Sequence, residues 1–236
     1  MAENKLTLIE HLSELRKRLF IIILSLIITS SGSYYYVEKL VKELVKYTNY
    51  LDFVYLTPSE LFLTYIKISL VMGIVISSPI LLRQIWLFLK PGLTKRERRY
   101  ITLSLLGGVL FFAAGVIFAY LLVIPVTIKF FTGFTLEGIT PTISFRSYVD
   151  FICSLLLAFG LVFEMPILSV LLTKFGLINS IMLRKNRKMV ILVIFVVAAI
   201  ITPPDVISQL LLAMPMMILF EISIWLSKIV GRKKEI

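Results

Sequence analysis

Histidine and cysteine are nearly absent from this chain of 236 residues: His11 and Cys153 occur once each. A lone cysteine excludes an intramolecular disulfide and any cysteine metal cluster, and a lone histidine excludes His-rich sites. No HExxH, no P-loop glycine-lysine motif and no serine-histidine pair in a membrane cavity is present. Metalloprotease, ATPase and intramembrane serine-protease chemistry therefore have no candidate residues. No enzymatic activity, cofactor or metal is expected. Charge is scarce as well, at 17% of residues against 58% hydrophobic, which is too apolar for an ordinary soluble domain.

What remains is long apolar runs, at roughly 19–37, 61–82, 101–128, 147–172, 189–202 and 206–226. A helical span needs about 20 residues. The runs are apolar all round and do not alternate in ten-residue strands, which excludes an outer-membrane barrel. The expected fold class is an all-α, polytopic membrane protein of six transmembrane helices, residues 1–236 forming one integral membrane domain. Arg16, Lys17 and Arg18 before an apolar core that ends in Ser30–Ser33 imitate a secretory signal. The long, organised segment in front and the belt Tyr34–Tyr36 behind argue for a retained first helix.

Orientation follows from the connections. Segments 1–18, 83–100, 173–188 and 227–236 carry nineteen Lys and Arg, whereas 38–60, 129–146 and 203–205 carry five. Both termini are expected in the cytoplasm. The net charge of +11 is then mostly this asymmetry, and no nucleic-acid partner is expected.

A carboxylate near lipid is costly, so the fourteen acids are informative. Five fit a capping box, in which a Ser or Thr and an acid three residues on satisfy the first amides of a helix: Thr7 with Glu10, Thr57 with Glu60, Thr94 with Glu97, Ser147 with Asp150, and Thr202 with Asp205. Glu97, set among Lys95, Arg96, Arg98 and Arg99, has local pairing as a further structural explanation. Glu14 lies opposite an apolar stripe of Leu8, Leu12, Leu15 and Leu19 on an interfacial helix leading into the first span, and could pair with Arg18 one turn on. Glu221 is expected to snorkel near Lys228. Glu164 is different. It stands well inside its span, two residues before Pro166, which frees a carbonyl and kinks the helix. Such an acid needs a bundle interior, a watery cavity or a partner helix.

Residues 37–46, VEKLVKELVK, place apolar residues at helical spacing with lysines opposite, a surface-lying helix between the first two spans. The fifth run, Met189 to Thr202, is only about 21 Å long against a hydrocarbon core of about 30 Å. The hairpin with the sixth span, which bears Gln209, must stop short of one face or thin the bilayer.

The segments HLSELRKR, SPILLRQIWLFLKPGL, TKRERRY, LAFGLVFEMP and ITPPDVISQLLLAMPMMILFEIS, in this order, resemble the TatC family, the receptor subunit of the twin-arginine translocase. The resemblance spans essentially the whole chain. It implies a glove-shaped protein with a concave face in the cytoplasmic (inner) membrane. It also implies binding of the twin-arginine signal peptides of folded export substrates, with TatA and TatB as partners, homo-oligomers within a larger complex, and the proton-motive force as the driver. The family's signal-binding residues fall on Glu14, Glu97 and Phe88, its intramembrane acid on Glu164, and its polar contacts for single-span partner helices on Thr202 and Gln209. The rival class is a proton- or ion-coupled small-solute transporter with Glu164 as carrier site, but no repeat relates residues 1–118 to 119–236.

Overall fold

The computed structural model describes residues 8–48, 52–89, 95–133, 142–201 and 206–232. Ten α-helices and two short strands occur in the order α1 (Leu8–Tyr35), α2 (Val37–Val45), β1 (Asp52–Val54), α3 (Pro58–Leu89), α4 (Lys95–Phe118), α5 (Ile124–Thr132), β2 (Thr142–Ser144), α6 (Phe145–Val162), α7 (Met165–Phe175), α8 (Ser180–Lys185), α9 (Arg187–Ile201) and α10 (Val206–Arg232). A π-turn over Ala119–Val123 joins α4 to α5 into one rod. With α6 and α7 as one bent rod, six rods cover the six apolar runs.

Four of these, within Pro58–Phe88, Ser104–Thr132, Phe145–Phe175 and Gln209–Gly231, are long and apolar enough to cross a bilayer, and α1 qualifies together with α2 across a 73° bend. The protein is a multi-pass membrane protein. α9 has fifteen residues, as short as its apolar run foretold. The stripe of Leu12, Leu15 and Leu19 belongs to α1 itself, which runs from Leu8 into the span without a separate interfacial helix.

The rods pack in a row that is closed at its middle, where α3, α4 and α6 touch one another. α1 lies antiparallel on α3: Arg18 reaches Gln84 at 3.2 Å, and Thr29 donates to the Gly73 carbonyl at 3.0 Å. α3 packs on α6 and α4, α4 on α6 and α7, α7 on α10, and α10 on α9. The starts of α1 and α4 and the ends of α3, α7 and α10 share one end, called here the terminal end. The strands mark the other. There β1 pairs with β2 in parallel, Phe53 opposite Ile143, so that α3 and α6, which follow the two strands, descend side by side.

Small residues make the close approaches, as expected where lipid removes the hydrophobic drive between helices. A Cβ on Gly115 would lie 2.4 Å from the Phe159 carbonyl, and one on Gly73 would lie 2.2 Å from Ser30 Oγ. Hydroxyls absorb stray carbonyls. Pro79 inside α3 leaves the Val75 carbonyl without its amide, and Ser78 Oγ donates to that oxygen at 2.8 Å. Between α7 and α10, Ser169 donates to the Ser223 carbonyl at 3.2 Å and Thr173 meets Ser227 at 2.7 Å.

Two helix starts differ from the expected capping boxes. α6 is capped by Ser144, whose Oγ accepts from the Ser147 amide at 3.3 Å, so Ser147 is inside the helix. Asp150 is no cap either: it accepts from Lys67 of α3 at 2.6 Å and lies 3.9 Å from Arg146. Glu60 does serve the start of α3, but reaches beyond it, accepting the Leu56 amide at 2.8 Å and the Ser144 hydroxyl at 3.0 Å. Glu221 pairs with Arg187 at the start of α9, not with Lys228, because the hairpin brings Arg187 alongside. Thr7, Thr94, Thr202 and Asp205 lie outside the described residues, as does the side chain of Glu10.

Candidate functional site

At the terminal end, the start of α1, the last turn of α3 and the first turn of α4 carry Glu14, Phe88 and Glu97 respectively. Glu14 is part-buried and held by Arg18, which bonds its Oε1 through Nε at 3.2 Å and also through Nη2. The i,i+4 pair expected on α1 is therefore present. It is also anchored across the row, because Arg18 Nη1 donates to Oε1 of the buried Gln84 on α3 at 3.2 Å. One carboxylate thus has its position fixed by a neighbouring helix. Phe88 is part-buried. Glu97 is helical in backbone, and its side chain lies outside the described residues.

Glu164 sits at the break between α6 and α7. Pro166 has no amide for the Val162 carbonyl, and the helix restarts at Met165. The carboxylate is only 5% exposed, and its Oε1 has no hydrogen-bond partner. It is turned toward α4, where Gly108 leaves room: a Cβ there would stand 3.0 Å from Oε2. A buried oxygen left unpaired is costly. Oε1 can accept a donor, and none of the described residues supplies one.

Gln209, near the strand end of α10, donates through Nε2 to the Phe195 carbonyl of α9 at 2.9 Å. It ties the short hairpin together. Thr202 lies outside the described residues. Glu14, Phe88 and Glu97 therefore share one end of the row, Glu164 lies in mid-span, and Gln209 lies toward the opposite end. These are three separate places.

Residues 10–215 match the family model described as TatC, Sec-independent protein translocase protein. The chain belongs to the TatC family. Among curated relatives, the Sec-independent protein translocase protein TatC of Aquifex aeolicus is 42% identical over 234 residues, covering 97% of each chain. That of Escherichia coli is 37% identical over 244 residues, covering 99% of this chain and 93% of the relative. A crystal structure of the twin-arginine translocase receptor TatC superposes with a TM-score of 0.86 at 40% identity, over 94% of this chain and all of that one. The fold is thus the six-helix, glove-like TatC fold, and TatC proteins are translocase components, not enzymes. Membership of a translocase implies a larger complex.

Three features of this TatC chain escaped the sequence reading. Lys67 is a lone cation in the second apolar run, a signal that could have been followed, and it meets Asp150 in mid-row. Gln84 as an anchor for Arg18 carries no local signal. Neither does Gly108 as the seat of Glu164, since both depend on which helices become neighbours.

Proposed function

We propose that this chain is the signal-peptide receptor of a twin-arginine translocase, lying in the cytoplasmic membrane with both termini in the cytoplasm. The terminal end of the row then faces the cytoplasm, in keeping with the Lys and Arg asymmetry. Glu14 and Glu97 receive the two guanidiniums of the signal, each a planar fork suited to bidentate pairing with a carboxylate, and Phe88 contributes an aromatic face beside them. Single-span partners of the TatA and TatB type contact Glu164, Thr202 and Gln209, and the proton-motive force drives transport of folded clients.

The observation that carries this reading is the Glu14–Arg18–Gln84 chain of contacts. Glu14 is positioned at an exposed end of the row by a neighbour that is itself an arginine. An incoming arginine offers the same chemistry and needs only to displace or share with Arg18.

The test is crosslinking of a twin-arginine peptide to the detergent-solubilised protein. Glu14→Gln and Glu97→Gln should each weaken binding by about 1.5 to 3 kcal/mol, the worth of a charged hydrogen bond, with thermal stability retained. A capping role predicts otherwise, because Gln also serves in a capping box. Wild-type binding by both variants would return the two acids to a structural role.

A further inference from the structure

Beneath α2, at the strand end, lies an apolar slot of about 310 Å³ between α2, α3, α4 and α6. Its floor is Ile68, Val71, Cys153 and Leu156, all buried. Ile117, 55% exposed, stands at its mouth. Among the described residues of its lining the one charged group is Glu43 of α2, which accepts the Tyr120 hydroxyl at 3.2 Å and lies 3.7 Å from Lys46 Nζ. Tyr120 projects from the π-turn of the α4–α5 rod, an irregularity of the kind often found at functional sites.

We propose that this slot takes one acyl chain of a phospholipid whose headgroup carries a primary ammonium, such as phosphatidylethanolamine. The occupant follows from width, wall and rim. An α-helix is 10–12 Å across with its side chains, so a helix could lie over the mouth but not enter a slot of this volume, whereas a single hydrocarbon chain can. The wall is apolar to its floor, its mouth is marked by the exposed Ile117 of a membrane-spanning rod, and an apolar void beside lipid forfeits dispersion contacts that a chain restores. The rim carries Glu43, which would face an ammonium, and just outside the lining the exposed Lys46, 3.7 Å from Glu43, would face a phosphate. An ethanolamine ammonium has three charged donors for the carboxylate, a choline has none, and a glycerol headgroup has only neutral hydroxyl donors and no cation to offset its phosphate beside Glu43. Because α2 bends from α1 by 73° to lie across the rods, the rim sits where headgroups sit and the floor where acyl chains sit.

The full-length protein would be delipidated in mild detergent and reconstituted in vesicles of phosphatidylethanolamine, phosphatidylcholine or phosphatidylglycerol. Retained lipid is then counted by native mass spectrometry after re-extraction. One phosphatidylethanolamine per chain should be retained in preference to either competitor by about tenfold, the scale of one charged hydrogen bond. Met72→Trp, at a part-buried wall position, should abolish retention by filling the slot. Glu43→Gln, which keeps an acceptor for Tyr120 and so keeps the fold, should erase the preference while leaving retention of all three lipids. Cys153 labelling by a bilayer-soluble maleimide should slow in the phosphatidylethanolamine-loaded wild type. Equal retention of the three lipids by the wild type, or undiminished retention by Met72→Trp, overturns the proposal. So does a photo-reactive group at Met72 that captures a peptide segment instead of lipid.

Discussion

Gly108 of α4 and Glu164 at the head of α7 fit each other in size: a methyl group on Gly108 would stand 3.0 Å from Glu164 Oε2 and 3.4 Å from Oε1. Because Oε1 has no partner, this contact is steric on one helix and polar on the other. Gly108→Ala should push the carboxylate aside and destabilise by about 1 to 3 kcal/mol, the usual cost of overpacking. That corresponds to several degrees of melting temperature, at about 2–4 °C per kcal/mol for a chain of this size. Gly108→Ser should recover part of the loss, since its hydroxyl can donate to Oε1. Melting curves in detergent check both, and a serine variant less stable than the alanine one would contradict the polar half of the argument.

Glu164→Gln keeps an acceptor and adds a donor, whereas Ala or Leu removes both. If Glu164 acts by hydrogen bonding, the Gln variant should transport nearly as well as wild type while Ala and Leu impair assembly. A titrating carrier acid predicts a Gln variant as inactive as Leu in a normally assembled complex. Transport assayed beside blue-native electrophoresis separates the two.

The α1–α3 seam depends on Gly73. Its Cβ position is 2.2 Å from Ser30 Oγ and 2.9 Å from the Ser30 backbone, so removing the hydroxyl cannot make room. Gly73→Ala should loosen α1 and Gly73→Ala with Ser30→Ala should not restore it. Thr29→Val loses the bond to the Gly73 carbonyl together with the back-bonds to the Ser25 and Leu26 carbonyls of its own helix; the interhelical part should cost about 0.6 kcal/mol, the average for hydrogen bonds between membrane helices. Disulfide trapping between cysteines placed on α1 and α3 reads the difference.

Lys67 and Asp150 join α3 to α6, and each is about two-fifths exposed, at 42% and 41%. Lys67→Met leaves Asp150 with only Arg146 at 3.9 Å, and Asp150→Asn leaves Lys67 uncompensated within a span. Each single change should be destabilising, and Lys67→Asp combined with Asp150→Lys should recover much of the loss. A double-mutant cycle on melting temperature that shows simple additivity would mean that the pair does not couple the helices.

How much of this was legible in the residues depends on whether the partner is near in sequence. The apolar runs, the shortness of α9, the break before Pro166 and the i,i+4 pair of Glu14 with Arg18 are all local, and the structure contains each of them. Ser144 as the cap of α6 was hidden because it belongs to a strand whose partner, Val54, is ninety residues earlier. Spacing alone favoured Ser147. Asp150 was misread for the same reason: a local explanation was available, and the true partner, Lys67, lay on another helix. Glu221 repeats the lesson, with Lys228 near in sequence and Arg187 near in space. Glycine seats such as Gly73 and Gly108 carry no pattern until the helices that meet there are known.

Arg18 sits between Glu14 and Gln84, and this sharing sets how strongly Glu14 is neutralised before any ligand arrives. If Glu14 receives a signal arginine, Arg18 is its resident competitor. Arg18→Gln should leave Glu14 uncompensated: the free protein loses a little stability, since a partly exposed i,i+4 pair is worth only a few tenths of a kcal/mol, while the peptide gains an unopposed carboxylate. Twin-arginine peptide binding should therefore tighten, and binding should rise more for twin-lysine peptides, which compete poorly with a bidentate resident. Gln84→Leu should act in the opposite direction, because Arg18 then has Glu14 as its main acceptor and pairs with it more fully. Peptide titrations by fluorescence anisotropy on the two variants and on Glu14→Gln decide the matter. Tighter binding in Arg18→Gln that disappears when Glu14→Gln is added is the expected pattern. Weaker binding in Arg18→Gln with an unchanged melting temperature would show that Arg18 helps to hold the peptide and does not compete with it.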